Sequence, residues 1–173
     1  METVTAPAIG AYSEVGTLRT VMVHRPDLAH ARLSPHNCHD LLFDDVIWVR
    51  RAQEEFDAFV EVMRGRGVEV LLFHDLLTET LERDDARAWV LERRLRPEEV
   101  TALFAREMTE WMRGMPAGEI ATHLTGGVMV QELPGDIVEA IGRALRPTDF
   151  VCRRCRTSCS RVTPALGSTV ACR

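Results

Sequence analysis

Lysine is absent from this chain: all 21 basic residues are arginine. Arginine codons are mostly GC-rich and lysine codons only AT-rich, so a very GC-rich gene is expected. The first residues, METVTAPAIGAYSEVG, have neither a basic n-region nor an apolar h-region, which argues against a secretory signal and for a cytoplasmic protein. Apolar runs such as Val70 to Phe73 fall far short of the roughly 20 residues a membrane helix needs. No basic excess exists either: 26 acidic residues outweigh the arginines, and the net charge of -5 opposes a phosphate backbone, so neither nucleic acid nor membrane is expected as a partner. Ser-His-Asp spacing, a P-loop, a dinucleotide fingerprint and internal repeats are all missing.

What is present is a chain of 173 residues, 46% hydrophobic, enough for one domain or slightly more with its own core. Its last 22 residues, Cys152 to Arg173, break with the rest: they hold four of the five cysteines, five arginines and no acid. They show neither the period of two nor the period of 3.6 that would place them on a strand or a helix. In a reducing compartment such clustered cysteines suit metal or thiol chemistry better than disulfides. Cys152, Cys155 and Cys159, with Cys172 as a fourth thiolate, form a candidate zinc set. The second knuckle of a zinc ribbon is missing, however, which leaves an unstructured or non-native tail as the competing reading.

The body is regular. Leu18 to His24 reads as a buried strand closed by Arg25-Pro26. Val49, Ala52, Phe56, Phe59 and Met63 recur at helical spacing and predict a long helix that stops near Gly65 and Gly67, with Asp44 and Asp45 placed to cap it. Val68 to Phe73 predicts a second strand in the same sheet, an α/β unit. From His74 to Arg146 the pattern is helical throughout. Pro97 is expected to open a helix whose buried face is Val100, Leu103, Phe104, Met108, Trp111 and Met115, and further helices are expected around Ile120 to Leu124 and Asp136 to Leu145.

Other residues that could carry chemistry have ordinary readings beside the functional one. His36, Cys38 and His39 could approach one ion, but Pro35 and Asn37 favour turn contacts there. His24 and His74 follow the two strands and are expected as solvated strand ends. Asp44 and Asp45 could grip a guanidinium by bidentate hydrogen bonds or cap the helix, and spacing leaves both open.

SEVGTLRTVMVHRP at Ser13 to Pro26, RLSPHNCHDLLFDDVIWVRRAQEEFDAF at Arg32 to Phe59, GVEVLLFHDLLTETL at Gly67 to Leu81, and the later GGV and ELP together resemble bacterial arginine deiminase over roughly residues 10 to 150. The resemblance implies hydrolysis of L-arginine to citrulline and ammonia without a cofactor, on a five-bladed α/β propeller with a helical insert in its first blade. Residues 10–75 would then be the first propeller elements, 76–147 the helical insert and 151–173 a non-native, out-of-frame tail, an incomplete propeller overall. The LLFDD segment approaches the substrate in that family, which makes Leu42 a pocket-wall residue and Asp44 and Asp45 structural. The family's glycine-rich cysteine motif and HLDT-like histidine motif do not occur in these residues, so no catalytic residue is assigned and the chain is expected to be a truncated, inactive portion of an enzyme that could be homo-oligomeric at full length. Without the remaining blades, apolar surface should be exposed. The alternatives are a small regulatory or binding protein with a zinc tail, or a related amidinotransferase or dimethylargininase; the LLFDD segment and insert favour the deiminase.

Family members continue with segments like LPPLPN, FTRD and WIYGGV. In a displaced frame, Val151-Cys152 permits CTG and Cys152-Arg153 CCG, and the following codons continue through LPPLPN. Cys159 to Thr163 permit FTRD, and Leu166 to Cys172 permit WIYGGV. The tail is therefore expected to be out-of-frame translation from a frameshift near Val151.

Overall fold

The computed structural model of the chain describes residues 15–39, 43–95, 102–141, 146–152 and 171–172. Within them, apolar strand β1 (Thr20–Val23) lies between parallel β2 (Glu69–Leu72) and antiparallel β5 (Ala171–Cys172). The parallel register pairs Thr20 with Glu69 and Val23 with Leu72, and Thr20 Oγ1 donates to Glu69 Oε2 at 2.8 Å. A short helix α1 (Leu28–Ala31) follows β1, and the crossover to β2 is α2 (Val49–Gly65). Phe56, Val60 and Met63 of α2 pack with Val21 and Val23 into one apolar cluster. At the end of α2 the chain turns through Gly67, whose φ of +80° favours glycine, and the Val68 amide donates back to the Met63 carbonyl at 3.1 Å.

The strand-helix-strand unit expected from periodicity is therefore present, with three local differences. Phe59 is exposed and Val60 takes its place in the core, because the buried stripe drifts around a 3.6-residue helix. Phe73 opens a helix instead of ending β2. Asp44 and Asp45 do not cap α2: its N-cap is Trp48, without a side-chain cap, and Asp45 Oδ1 accepts from its neighbour, the Val46 amide, at 2.7 Å. Three residues separate Asp45 from the helix, too many for a capping side chain.

Helices α3 (Phe73–Glu82), α4 (Asp84–Arg94), α5 (Ala102–Arg113), α6 (Ala117–Gly126) and α7 (Gly135–Ile141) form the second part. Leu81, Leu91, Met108, Met112, Ile120 and Leu124 fill their common core. Asp84 and Asp85 sit in the first turn of α4 and Arg93 and Arg94 in its last, matching the helix dipole. The expected start of a helix at Pro97, and Val100 with it, lies outside the described residues, as does the side chain of Leu103. Phe104 and Met108 are buried as expected; Met112 joins them, while Trp111 and Met115 pack against the cluster from its edge. This part is not purely helical. Val128–Met129 (β3) pairs antiparallel with Phe150–Cys152 (β4), a sheet too short for any alternation to reveal. Together the elements make a mixed α/β fold of helices and two small sheets. No described helix is long and apolar enough to cross a membrane.

Candidate functional site

Three segments distant in sequence converge between α1 and α6. Arg32, at the C-cap of α1, points its guanidinium at the end of α6: Nη1 donates to the carbonyls of Gly126 at 2.7 Å and Gly127 at 2.6 Å. Nη2 pairs with Glu132 Oε1, while Glu132 Oε2 accepts from the Met129 amide at 2.8 Å. The Phe150 ring lies 5.8 Å from the guanidinium carbon. An arginine is suited to this place because its planar fork satisfies several acceptors at once, and the carbonyl end of a helix favours a cation.

The glycines make the approach close. A Cβ on Gly126 would stand 2.9 Å from Leu28 of α1, and one on Gly127 2.9 Å from the Cys152 carbonyl of β4. Gly127 also has φ +82° and ψ 179°, a conformation essentially confined to glycine.

Arg32 also leads into the turn that precedes LLFDD. Asn37 Oδ1 accepts from the Ser34 amide at 2.8 Å and its Nδ2 donates to the Arg32 carbonyl at 3.0 Å. Cys38 is buried, its Sγ 3.7 Å from the Pro35 carbonyl that accepts from it, and its own carbonyl accepts from the Phe43 amide at 2.9 Å. The Phe43 ring meets His30 edge to face at 5.7 Å. His36 and His39 are exposed, so residues 34–39 are built from turn contacts. Leu42 lies outside the described residues.

The two strand ends differ in burial. His24 is 2% exposed rather than solvated, packed edge-on against Phe73 at 5.6 Å, and neither ring nitrogen has a hydrogen-bond partner among the described residues. Its Nε2 stands 3.7 Å from Asp27 Oδ2, close enough for charge but not for a hydrogen bond. Burial pushes the Asp27 carboxyl up, but the imidazoles of His24 and His30 and the Ala29 amide outweigh it and hold the group below its ordinary range. His74 is half-buried and meets Thr122 Oγ1 at 3.1 Å, tying α3 to α6. With its side chain 33% exposed, this end is part-solvated.

Of the candidate zinc set, Cys152 is buried in the helical core and its backbone pairs with Val128, whereas the Cys172 backbone pairs with Val21 in the other sheet. Cys155 and Cys159 lie outside the described residues. No group of three or more His, Cys, Asp or Glu side chains able to hold a metal occurs among the described residues. What the sequence reading missed is the Arg32 junction. The signal was available, since Arg32, Gly126-Gly127 and Glu132 each belong to a motif quoted above, but nothing in spacing says that a surface-type residue would be buried across 100 positions.

Set against models of known protein families, residues 39–144 match the one described as arginine deiminase.

Proposed function

The chain belongs to the arginine deiminase family, the match spanning more than half of its residues, and on that premise we propose that it is the N-terminal section of an enzyme that hydrolyses L-arginine to citrulline and ammonia in the cytoplasm. Residues 10–75 supply the first elements of a five-bladed propeller and 76–147 its helical insert. Leu42 contributes to the wall of the arginine pocket. The observation that carries this reading is the family match over residues 39–144. It takes in the LLFDD segment and both glycines of the Arg32 junction.

The chemistry needs more than these residues contain. Attack on a guanidinium carbon calls for an activated thiolate, a proton carrier and carboxylates that hold the guanidinium. Cys38 does not offer the first, since it is buried on a backbone carbonyl. The 173-residue chain therefore forms no citrulline on its own, and residues 151–173 are the out-of-frame reading of sequence that would have continued the enzyme.

Two measurements test this. Purified chain incubated with L-arginine should give no citrulline above a no-protein control; turnover would overturn the inactive reading. Sequencing across codons 151–172 should show LPPLPN, FTRD and WIYGGV in the displaced frame, and their absence there would remove the frameshift.

A further inference from the structure

The turn Ser34 to Cys38 is closed on itself, the Ser34 carbonyl accepting from the Asn37 amide at 3.1 Å and the Cys38 amide at 3.0 Å. Toward the helical section it is tied through Asn37, whose Nδ2 holds the Arg32 carbonyl. Arg32 faces both ways. Its carbonyl receives the turn, and its guanidinium is clamped on Gly126, Gly127 and Glu132. Its side chain is 6% exposed, so it has exchanged water for these partners, and a charge that has done so is held in one geometry.

We propose that Arg32 is a positioning residue that sets the turn preceding the LLFDD segment from the end of α6, so that the helical section and the turn move as one. The clamp has a direction built into it. The three acceptors of the guanidinium belong to α6, its C-cap Gly127 and the 3₁₀ turn Val130–Glu132, while the turn is held to the residue's own backbone carbonyl by Asn37. Loss of the clamp therefore frees the turn, whereas loss of the Asn37 contact frees the turn and leaves the clamp in place. Lysine in this position would carry the charge and three donors on one compact ammonium, without the planar fork that spreads them over two carbonyls and a carboxylate. The bearing of this on substrate rests on the reading of Leu42 as a pocket wall; the coupling itself does not.

Cys38 provides the probe, because it is 2% exposed beneath the turn and reacts only when the turn opens. Its alkylation by iodoacetamide in the full chain is followed by peptide mass spectrometry, which separates it from Cys152 and the tail cysteines. Arg32→Gln and Asn37→Ala should each speed modification of Cys38 by about tenfold or more under native conditions. Ile120→Val, which weakens the helical core without touching the clamp, should not do so when rates are compared at equal global stability. Amide exchange in α6 should rise in Arg32→Gln and stay unchanged in Asn37→Ala. The double variant should react no faster than the faster single one, as expected of two links in one chain. Unchanged Cys38 reactivity in Asn37→Ala, or single effects that multiply in the double variant, would overturn the proposal. No substrate enters the measurement, so a failed coupling leaves the deiminase reading intact, and a failed deiminase reading leaves the coupling intact.

Discussion

Arg32 and Glu132 form an ion pair across 100 positions of sequence, with the guanidinium 6% and the carboxylate 28% exposed. The pair joins the C-cap of α1, which follows the first strand, to the turn after β3. Removing Glu132 would leave the buried guanidinium with the Gly126 and Gly127 carbonyls but no counter-charge, and the Met129 amide without its acceptor, which costs more than the pair itself contributes. Glu132→Ala should therefore lower stability by about 3 kcal/mol, a value at the lower end for buried pairs because the carboxylate is partly solvated. Urea denaturation checks it. A loss below about 1 kcal/mol would place Glu132 among ordinary surface ion pairs.

The glycines at the same junction should separate by mechanism. Gly126→Ala meets the Leu28 side chain, at 2.9 Å, at a backbone conformation any residue adopts, so a shift of α1 is what it requires. Gly127→Ala meets the Cys152 carbonyl oxygen, at 2.9 Å, and must also hold φ +82°. Its backbone strain alone costs about 1–3 kcal/mol. Thermal unfolding should rank Gly127→Ala as clearly the more damaging of the two. The reverse order would mean that the α1–α6 contact, not the backbone of Gly127, is the rigid element.

Acid should weaken the fold through Asp27 and Asp57. Both carboxyls are depressed in the folded protein: at Asp27 the imidazoles of His24 and His30 and the Ala29 amide overcome the effect of burial, and at Asp57 the bidentate Arg25 contacts at 2.8 and 2.7 Å dominate. A carboxyl depressed on folding contributes stability that is present above its unfolded pKa and is lost as pH falls through the folded one. Through these two groups stability should decline as pH falls below about 4. Asp27→Asn keeps an oxygen to cap the Ala29 amide but carries no charge, so it should lower stability at neutral pH and make the acid decline shallower. Equal acid slopes in parent and variant would rule out Asp27 as a source.

How much of this was legible depends on whether the signal is local. The β1-α2-β2 unit was readable because Val21, Val23, Phe56 and Met63 carry its core at the periods of a strand and a helix. The helical section was readable for the same reason, with Phe104 and Met108 on the buried face of α5. Sheet β3–β4 was not, since two residues display no period. His24 was misplaced as solvated because a strand end looks alike whether water or Phe73 covers it. The Arg32 junction is the deepest case: each partner sat in a recognisable motif, but the meeting of Arg32 with Gly126, Gly127 and Glu132 is a property of tertiary packing and has no trace in spacing.

Phe59 shows what a correct helix and a wrong face imply together. It lies 39% exposed on α2, with Val62 at 54% one turn on and Trp48 at 73% at the helix N-cap. Phe59 and Val62, three residues apart, are neighbours on the helix surface, while Phe56, Val60 and Met63 face the sheet. Large apolar side chains gathered on a solvated face promote self-association. Phe59→Gln with Val62→Gln should therefore reduce concentration-dependent light scattering of the purified chain. Because neither residue fills the core, unfolding free energy should change by less than about 0.5 kcal/mol per site. A larger loss would show that these side chains support α2 from outside, and unchanged scattering would place the sticky surface elsewhere.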